Sequence, residues 1–249
     1  MKSLKKALSV FELIIANGRD LSLSEISNTL DLPKGTVHRI LATMVEYKFA
    51  RQDPATKRYG LGFRCYDIET VLNRHEILRA AMSSTLWDLY RKCKETVNAS
   101  VLEGENIEYI LRYESEMVLR VAIKVGTRFP AHCTSTGKVL LASLSDEELD
   151  SLYQGRNRIK KCTKNSIGSL KALKEALSQV RETGLAREFE ECLVGVHCMA
   201  SPILNMKGKV VAAVSVSGPK DRLTAEKMDE FEPLLRASTE KVTKELGGK

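Results

Sequence analysis

The spacing of the apolar residues changes near Thr96, and this change constrains the fold more than any other feature of the chain. Upstream, apolar residues recur every three or four positions, which is the period of a helix with one buried face. Downstream, apolar and polar residues alternate over short runs, which is the period of a half-buried strand. The sequence therefore predicts a helical segment followed by an α+β domain, in which helices cover an antiparallel sheet of about six strands.

The elements of this domain are predicted in a definite order. The predicted strands cover residues 97–102, 107–113, 119–125, 185–191, 196–205 and 210–217. The predicted helices cover residues 135–143, 146–152 and 169–182, and a last helix follows the cap residue Thr224. Residues 62–95 are also predicted to be helical, with a buried stripe made of Ile77, Ala80, Ala81, Ser84, Trp87, Tyr90 and Cys93.

Three short helices and a hairpin are predicted within the first 61 residues. The first helix ends at Asn17-Gly18, and its predicted inward face is Leu4, Leu8, Phe11 and Ile15. Ser22 and Glu25 form a capping box that begins the second helix, and Pro33 suits the first turn of the third. The predicted inward face of the third helix is Val37, Ile40, Leu41, Met44 and Val45.

A hairpin completes this N-terminal pattern. Residues 49–61 contain two short apolar arms around Asp53-Pro54, which is typical of a β-hairpin. Two helices, a turn, a third helix and a basic hairpin together describe a winged helix-turn-helix. A three-helix module that binds protein has the same core pattern and is the alternative interpretation.

Polar and basic residues occupy the outward face of the third helix and the hairpin. The residues predicted to contact DNA are Lys34, Gly35, Thr36, His38, Arg39, Thr43, Arg51, Lys57 and Arg58. Short donors and cations at the start of a recognition helix suit base edges and phosphates. Cations on the hairpin would add contacts to the DNA backbone.

The positive charge of the chain is concentrated at its front. The chain has 39 Lys and Arg against 32 Asp and Glu, a formal net charge of +7. Residues 1–66 hold 11 basic and 6 acidic residues, so most of the excess lies in about a quarter of the length. We therefore expect a segment that binds a polyanion at the front and a nearly neutral remainder.

The composition excludes several classes of protein. Of the 249 residues, 43% are hydrophobic and 29% are charged, which argues against extensive disorder. No apolar run approaches the roughly 18–20 residues that span a bilayer, and no secretory cleavage site follows the basic N-terminus. We therefore expect a cytoplasmic protein with no membrane partner, whose six scattered cysteines are reduced thiols.

Two histidine–cysteine pairs are candidate metal ligands. In His132-Cys133 and His197-Cys198, neighbouring residues on a strand would point to opposite faces, so at most one of each pair could face a given site. The same alternation argues against a catalytic dyad of His197 and Cys198.

Ser135 and Lys138 fit the S-x-x-K nucleophile motif, but its partner motifs are missing. The sequence therefore predicts no metal, no cofactor and no catalytic residue.

Polar residues of the second domain instead predict a small-molecule pocket. Ser215 and Ser217 are two positions apart on a strand, so their hydroxyls face the same side. Residues 134–136 begin a predicted helix, where backbone N–H groups and the helix dipole favour an anion. Together these features predict a site for a carboxylate or a similar small oxyanion.

Three stretches of the chain resemble the IclR family of transcriptional regulators. They are residues 22–41, 125–142 and 195–219, which contain LPKGTVHRIL, HCTSTGKVLL and GVHCMASPI. The resemblance covers nearly the whole chain and implies three segments. These are a winged helix-turn-helix domain (1–64), a helical linker (65–76) and a GAF-like domain for effector binding and oligomerisation (77–249).

The resemblance also implies a function and a set of effector contacts. A family member is a repressor or activator that binds a palindromic double-stranded DNA operator as a homodimer or homotetramer, under the control of a small organic-acid-like effector. The implied effector contacts are Ser135, Thr136, Glu188, Cys198, Ser215 and Ser217. Many relatives have smaller residues at 135 and 136 and a shorter Asp at 188, so a tighter pocket is expected here. The alternative is a GAF-like enzyme or a redox sensor that uses Cys133 or Cys198.

Overall fold

The computed structural model describes residues 2–71 and 74–248. The chain forms two compact units, Met1–Arg74 and His75–Lys249. Among the described helices, none combines the length and apolar character that a membrane span requires.

The N-terminal unit is a winged helix-turn-helix, as predicted. Its helices are α1 (Lys2–Asn17), α2 (Leu23–Leu30), α3 (Lys34–Glu46) and α4 (Phe63–Val71). Between α3 and α4, β1 (Ala50–Gln52) pairs antiparallel with β2 (Tyr59–Leu61) to form the wing. Ser22 and Glu25 form the predicted capping box at the start of α2, whereas Pro33 is the N-cap of α3 and lies just outside its first turn.

The inward face of α1 differs from the prediction. Val10 and Ile14 are buried, whereas Leu4 and Leu8 are more than half exposed and Ile15 is also exposed. Apolar residues surround much of this helix, so the sequence offers two overlapping stripes. Contact with α2, α3 and β2 selects the stripe that contains Val10. At the end of α3, the predicted core residue Val45 is likewise exposed.

The C-terminal unit begins with α5 (Arg74–Cys93), and its buried face is offset from the predicted stripe. Leu78, Met82, Leu86 and Leu89 are buried, whereas Ile77, Ala80, Ser84 and Trp87 are exposed. Tyr90 and Cys93 are buried as predicted. The prediction of this stripe was wrong because Trp87 does not enter the core. Its ring instead packs against Tyr90 and Tyr113 at the edge of the core. Residues 72 and 73 of the predicted 62–95 helix lie outside the described residues.

A six-stranded antiparallel sheet forms the centre of this unit. Its strands are β3 (Thr96–Glu103), β4 (Asn106–Tyr113), β5 (Arg128–Pro130), β6 (Ala186–Phe189), β7 (Val196–Leu204) and β8 (Val210–Pro219), in the order β5-β4-β3-β8-β7-β6. The helices after β5 are α6 (Ser135–Ala142), α7 (Asp146–Leu152), α8 (Leu170–Thr183) and α9 (Ala225–Glu245). Helices α5 and α9 share one apolar core with the sheet, and α6, α7 and α8 share a second.

The predicted strand over residues 119–125 is not present. That segment has no regular secondary structure, and the short strand β5 pairs with β4 instead. Its alternating apolar residues do point in two directions, since Val121 and Ile123 face a cavity while Leu119 and Val125 are exposed. The alternation therefore reflects a covering segment (residues 114–127, called the cover below) and not a strand in a ladder.

A close backbone contact positions the start of α6. Residues 131–133 form a turn of 3₁₀ helix, and Thr134 caps α6 by accepting a hydrogen bond from the Gly137 N–H at 3.0 Å. A Cβ atom at Gly137 would lie 2.1 Å from the carbonyl oxygen of Ala131. Only glycine permits this approach, which brings the first turn of α6 onto the sheet.

We predict that Gly137→Ala lowers the free energy of unfolding of the C-terminal unit by about 1–3 kcal/mol, because the methyl group forces α6 away from the turn. Gly35→Ala is the matched control, since a Cβ there has no atom within 4 Å. Urea unfolding followed by circular dichroism measures both variants. A Gly137→Ala variant as stable as the wild type would contradict this account of the contact.

Candidate functional site

A polar cavity lies on the α6 side of the sheet, where four neighbouring strands each contribute a side chain. Cys198 of β7 stands opposite Glu188 on one side and Ser217 on the other. Ser215, two residues before Ser217, stands opposite Asn98 of β3. Because directly paired residues point to the same face of a sheet, these side chains form one continuous polar floor.

The structure brings the six predicted effector residues to this cavity. Ser135, Thr136, Glu188, Cys198, Ser215 and Ser217 all line it. Thr136 accepts a hydrogen bond from the Ser100 hydroxyl at 3.3 Å, which ties the first turn of α6 to the floor. Ser135 also belongs to this first turn, whose backbone N–H groups lack carbonyl partners within the helix. That these residues hold an effector remains a prediction.

Arg112, which was not predicted from the sequence, brings a positive charge into the cavity. Its Nη1 donates to Asn98 Oδ1 at 2.8 Å, and its Nη2 donates to the carbonyl oxygen of Val121 in the cover. Its Nε is buried and has no hydrogen-bond partner among the described residues. Burial lowers the pKa of Arg112 from its ordinary value, but an arginine guanidinium stays protonated in proteins. The guanidinium therefore offers an unused donor to an anion.

A bulge in β4 explains why both Arg112 and Tyr109 reach the cavity. Residues three apart on a regular strand face opposite sides. Here Leu111 pairs with Ala99 and Tyr109 pairs with Ser100, so Ile110 is the extra residue of β4. The bulge reverses the alternation and turns both polar side chains toward the same face. The sequence did offer one signal for Arg112, since this arginine lies within the apolar run of the strand.

Asn98 is the centre of the hydrogen bonds on the floor. Its Nδ2 donates to the hydroxyls of Ser215 and Ser217, each at 3.2 Å, while its Oδ1 accepts from Arg112. Asn98 is almost fully buried, so these bonds replace those that water would make. The network connects β3, β4 and β8 around the cavity and keeps the two serine hydroxyls in place.

Glu188 is buried in the cavity wall, with 1% of its surface exposed. Burial raises the pKa of Glu188 to about 7. Hydrogen bonds from the backbone N–H groups of Cys192 and Glu191 lower it, but burial has the larger effect. Near neutral pH Glu188 is therefore partly protonated, and its neutral form leaves Arg112 as the charged group among the described lining residues.

The cavity is narrow. The free space inside is about 20 Å³, which is roughly what one water molecule needs. Val121 and Ile123 of the cover and Leu193 after β6 close it from the solvent side. A larger ligand therefore requires these apolar side chains to move outward, and Leu193 is already partly exposed.

The S-x-x-K motif has a structural role. Lys138 donates to Glu191 Oε1 at 2.6 Å and to the carbonyl oxygen of Arg187 at 2.8 Å, and both charged side chains are nearly buried. A lysine held in a buried ion pair is not available as a base for Ser135. This pair instead fastens α6 to β6 beside Glu188.

The two histidine–cysteine pairs differ from each other. On β7 the strand alternation holds, since His197 Nδ1 contacts the Leu223 carbonyl oxygen at 2.9 Å while Cys198 faces the cavity. Burial raises the pKa of the Cys198 thiol well above its ordinary value, which disfavours a reactive thiolate. His132 and Cys133 lie in the 3₁₀ turn, so the predicted strand alternation was wrong for this pair.

The N-terminal unit carries the residues predicted to contact DNA on α3 and the wing. Lys34, Gly35, His38, Arg39, Thr43, Arg51 and Lys57 are exposed, while Thr36 and Arg58 are half-buried. Thr43 donates its hydroxyl hydrogen to the Arg39 carbonyl oxygen at 3.1 Å. These positions lie on α3 and the wing, and their contact with DNA remains a prediction.

Two wing arginines are held by acids near the start of α2. Arg51 contacts both carboxylate oxygens of Asp20 at 3.0 Å, and Arg58 contacts Glu25 at 2.6 Å. Hydrogen bonds from the Ser22 backbone and side chain, with help from Arg19 and Arg58, lower the pKa of Glu25 to about 2. Lys57, in a left-handed conformation at φ 56°, lies exposed at the wing tip.

Two domain models of one protein family match this chain. Residues 3–54 match the "IclR helix-turn-helix domain", and residues 69–244 match "Bacterial transcriptional regulator IclR C-terminal". The HTH-type transcriptional regulator KdgR of Escherichia coli (strain K12) is 31% identical over 98% of this chain and 94% of its own length. The transcriptional repressor IclR of the same strain is 29% identical over 100% of this chain and 91% of its own length. These relatives are regulators and not enzymes.

Solved structures agree with these matches. The IclR protein of Thermotoga maritima has 29% sequence identity and a TM-score of 0.65, with 99% of each chain covered. The C-terminal domain of E. coli KdgR has 31% identity and a TM-score of 0.61, covering 68% of this chain and 98% of that one.

We predict that Glu188→Gln removes a pH dependence of stability. A pKa raised from 4.5 to about 7 means that the folded protein keeps a proton which the unfolded chain releases between these values. The free energy of unfolding therefore falls as the pH rises through this window, by about 3 kcal/mol in total. Glutamine keeps the acceptor oxygen but does not ionise, so the variant gains stability relative to the wild type as the pH increases.

Denaturant unfolding between pH 5 and 8 measures this difference, with Glu182→Gln at an exposed position of α8 as the control. If the free energies of unfolding of Glu188→Gln and the wild type differ by the same amount at every pH, the raised pKa of Glu188 is contradicted.

Proposed function

Because this chain belongs to the IclR family of transcriptional regulators, we propose that a short carboxylate binds in the polar cavity of its C-terminal unit and changes its affinity for operator DNA. The observation that carries this proposal is the buried Nε of Arg112, which has no partner among the described residues. The DNA-binding surface is α3 and the wing, and the operator is a palindromic duplex bound by a homodimer or homotetramer.

The charge of the cavity favours an anion. Arg112 is the cation among its described lining residues, and a guanidinium donates two parallel hydrogen bonds to a carboxylate. Glu188 opposes an anion only when it is ionised, and its pKa of about 7 keeps a large neutral fraction near neutral pH. The affinity for a carboxylate is therefore expected to fall as the pH rises above 7.

The remaining polar groups suit the other end of a short organic acid. The hydroxyls of Ser135, Ser215 and Ser217 each donate or accept a hydrogen bond, so they match hydroxyl or keto substituents. The first turn of α6 adds backbone N–H groups and the positive end of the helix dipole. The narrow interior favours a ligand of few carbon atoms, which enters as Val121 and Leu193 move outward.

The alternative of a redox sensor based on Cys198 is less well supported. The raised pKa of this thiol leaves little thiolate at neutral pH, and thiolate is the form that oxidants attack. The relatives KdgR and IclR are named as a transcriptional regulator and a transcriptional repressor.

We predict that one or more acids from a panel of short mono- and dicarboxylates raises the melting temperature of the wild-type protein. Arg112→Met removes the charged partner and should weaken binding by about 10- to 100-fold, the effect of losing a hydrogen bond to a charged group. Arg120→Met is the matched control, because Arg120 lies in the cover and pairs with the exposed Glu114.

Arg112→Lys is a second variant, which distinguishes a folding defect from a loss of binding. The lysine keeps the charge but not the paired donors, so it should bind the acid with intermediate affinity. Full affinity in both Arg112 variants would contradict the proposed role, as would a panel that leaves both the melting temperature and DNA binding unchanged.

A second prediction concerns the DNA surface. Binding to a labelled mixed-sequence duplex should weaken as salt increases, because phosphate contacts release condensed counterions. Arg39→Ala and Lys57→Ala should each lower the slope of log affinity against log salt by about one. Lys171→Ala, at an exposed position of α8, is the control and should leave the slope unchanged. Fluorescence anisotropy measures these slopes, and a flat salt dependence in the wild type would favour the protein-binding alternative.

A further inference from the structure

A cluster of soft metal ligands lies outside the polar cavity. The sulfur atoms of Cys133 and Cys162 and one ring nitrogen of His132 all lie within 4.8 Å of one another. The two sulfurs are 3.3 Å apart. The thiol of Cys192 adjoins that of Cys133 but lies outside this group of three, so three ligand atoms converge and a fourth lies beside one of them.

We propose that these four side chains bind one soft divalent metal ion, of which Zn²⁺ is the expected occupant. Three thiolates and one imidazole form a common donor set for tetrahedral structural zinc. Two thiolates on a tetrahedral zinc lie about 3.8 Å apart, given Zn–S bonds of about 2.3 Å. The observed sulfur separation needs an adjustment of only about half an ångström to reach this value.

The backbone around the cluster positions each ligand. His132 and Cys133 lie on the 3₁₀ turn, where neighbouring side chains can approach one centre. Ser166 accepts from the backbone N–H of Cys162 at 2.9 Å and donates to the Glu191 carbonyl oxygen at 2.6 Å. The loop of Cys162 is thereby joined to the loop that carries Cys192.

The surroundings also suit a metal centre. One ring nitrogen of His132 contacts the Lys160 carbonyl oxygen at 3.1 Å, and carbonyl partners of this kind orient imidazoles that bind metals. His132 and Cys133 are buried, whereas Cys162 is exposed and gives the ion a path from solvent. A divalent ion with three thiolates has a net charge of −1, which complements the basic rim of Arg158, Lys160 and Lys161. Each thiol releases its proton to solvent as it binds.

The site would connect three segments at the edge of the cavity. Cys133 directly precedes Thr134, the cap of α6, and Cys192 itself lines the cavity. An ion would hold these two segments to the loop of Cys162 and so stabilise the wall of the cavity. A disulfide between Cys133 and Cys162 is the competing use of the same residues, but it leaves His132 and Cys192 without a role.

Cobalt titration of the full-length, reduced and chelator-treated protein tests the proposal. We expect one Co²⁺ per chain, with thiolate-to-cobalt charge-transfer absorption and the intense visible bands of tetrahedral cobalt, both removed by competing Zn²⁺. Cys162→Ser is the decisive variant, because Cys162 is exposed and its replacement leaves the buried packing intact. It should weaken cobalt binding at least about tenfold.

Cys65→Ser, in the N-terminal unit, is the matched control and should bind cobalt like the wild type. Zinc should also raise the melting temperature of the wild type but not that of Cys162→Ser. The proposal is wrong if the wild type binds no cobalt or if Cys162→Ser binds it equally well. It is also wrong if mild oxidation links Cys133 to Cys162 in a protein that takes up neither Co²⁺ nor Zn²⁺.

Discussion

The half-buried guanidinium of Arg112, whose Nε is fully enclosed, is the constraint on which the polar side of the sheet depends. A charge removed from water is stable only where hydrogen bonds replace hydration, and here Asn98 and the Val121 carbonyl oxygen supply them. Asn98 in turn holds Ser215 and Ser217. One arginine therefore organises three strands and the cover, while its Nε lacks a partner among the described residues. A ligand that accepts a hydrogen bond from this Nε would therefore join the same network.

A related arrangement of charge orients the DNA-binding surface at the other end of the chain. Glu25 caps α2 through the Ser22 backbone and also holds Arg58 of the wing at 2.6 Å. The position of the wing is therefore tied to the start of the helix-turn-helix. These contacts are exposed to solvent, so their contribution to stability is small and their effect is mainly on orientation. Arg51 is likewise paired with Asp20.

Local patterns predicted the elements whose signals are themselves local. The capping box of Ser22 and Glu25, the cap at Thr224 and the alternation of Ser215 and Ser217 each depend on residues a few positions apart. The family resemblance added Glu188 and Cys198, which share a cavity only through the pairing of β6 with β7. Arg112 was missed because its direction depends on the bulge at Ile110, which follows from the pairing of β4 with β3.

The wrong predictions have a common physical origin. Residues 119–125 alternate like a strand, yet the edge of β4 pairs with residues 128–130, and the segment covers the cavity instead. On α1 and α5, apolar residues surround more than one face, so partner elements decide which stripe is buried. His132 and Cys133 were assigned strand alternation, although the close approach of Gly137 to Ala131 places them in a 3₁₀ turn.

The central claim, that the cavity and the DNA surface are coupled, is tested most directly by thermodynamic reciprocity. Calorimetric titration of the binding carboxylate into the full-length protein, with and without saturating operator duplex, gives two affinities. Our account predicts that they differ by the same factor by which the carboxylate changes operator affinity. Identical carboxylate affinities in the two titrations, with both ligands bound, would contradict coupling between the sites.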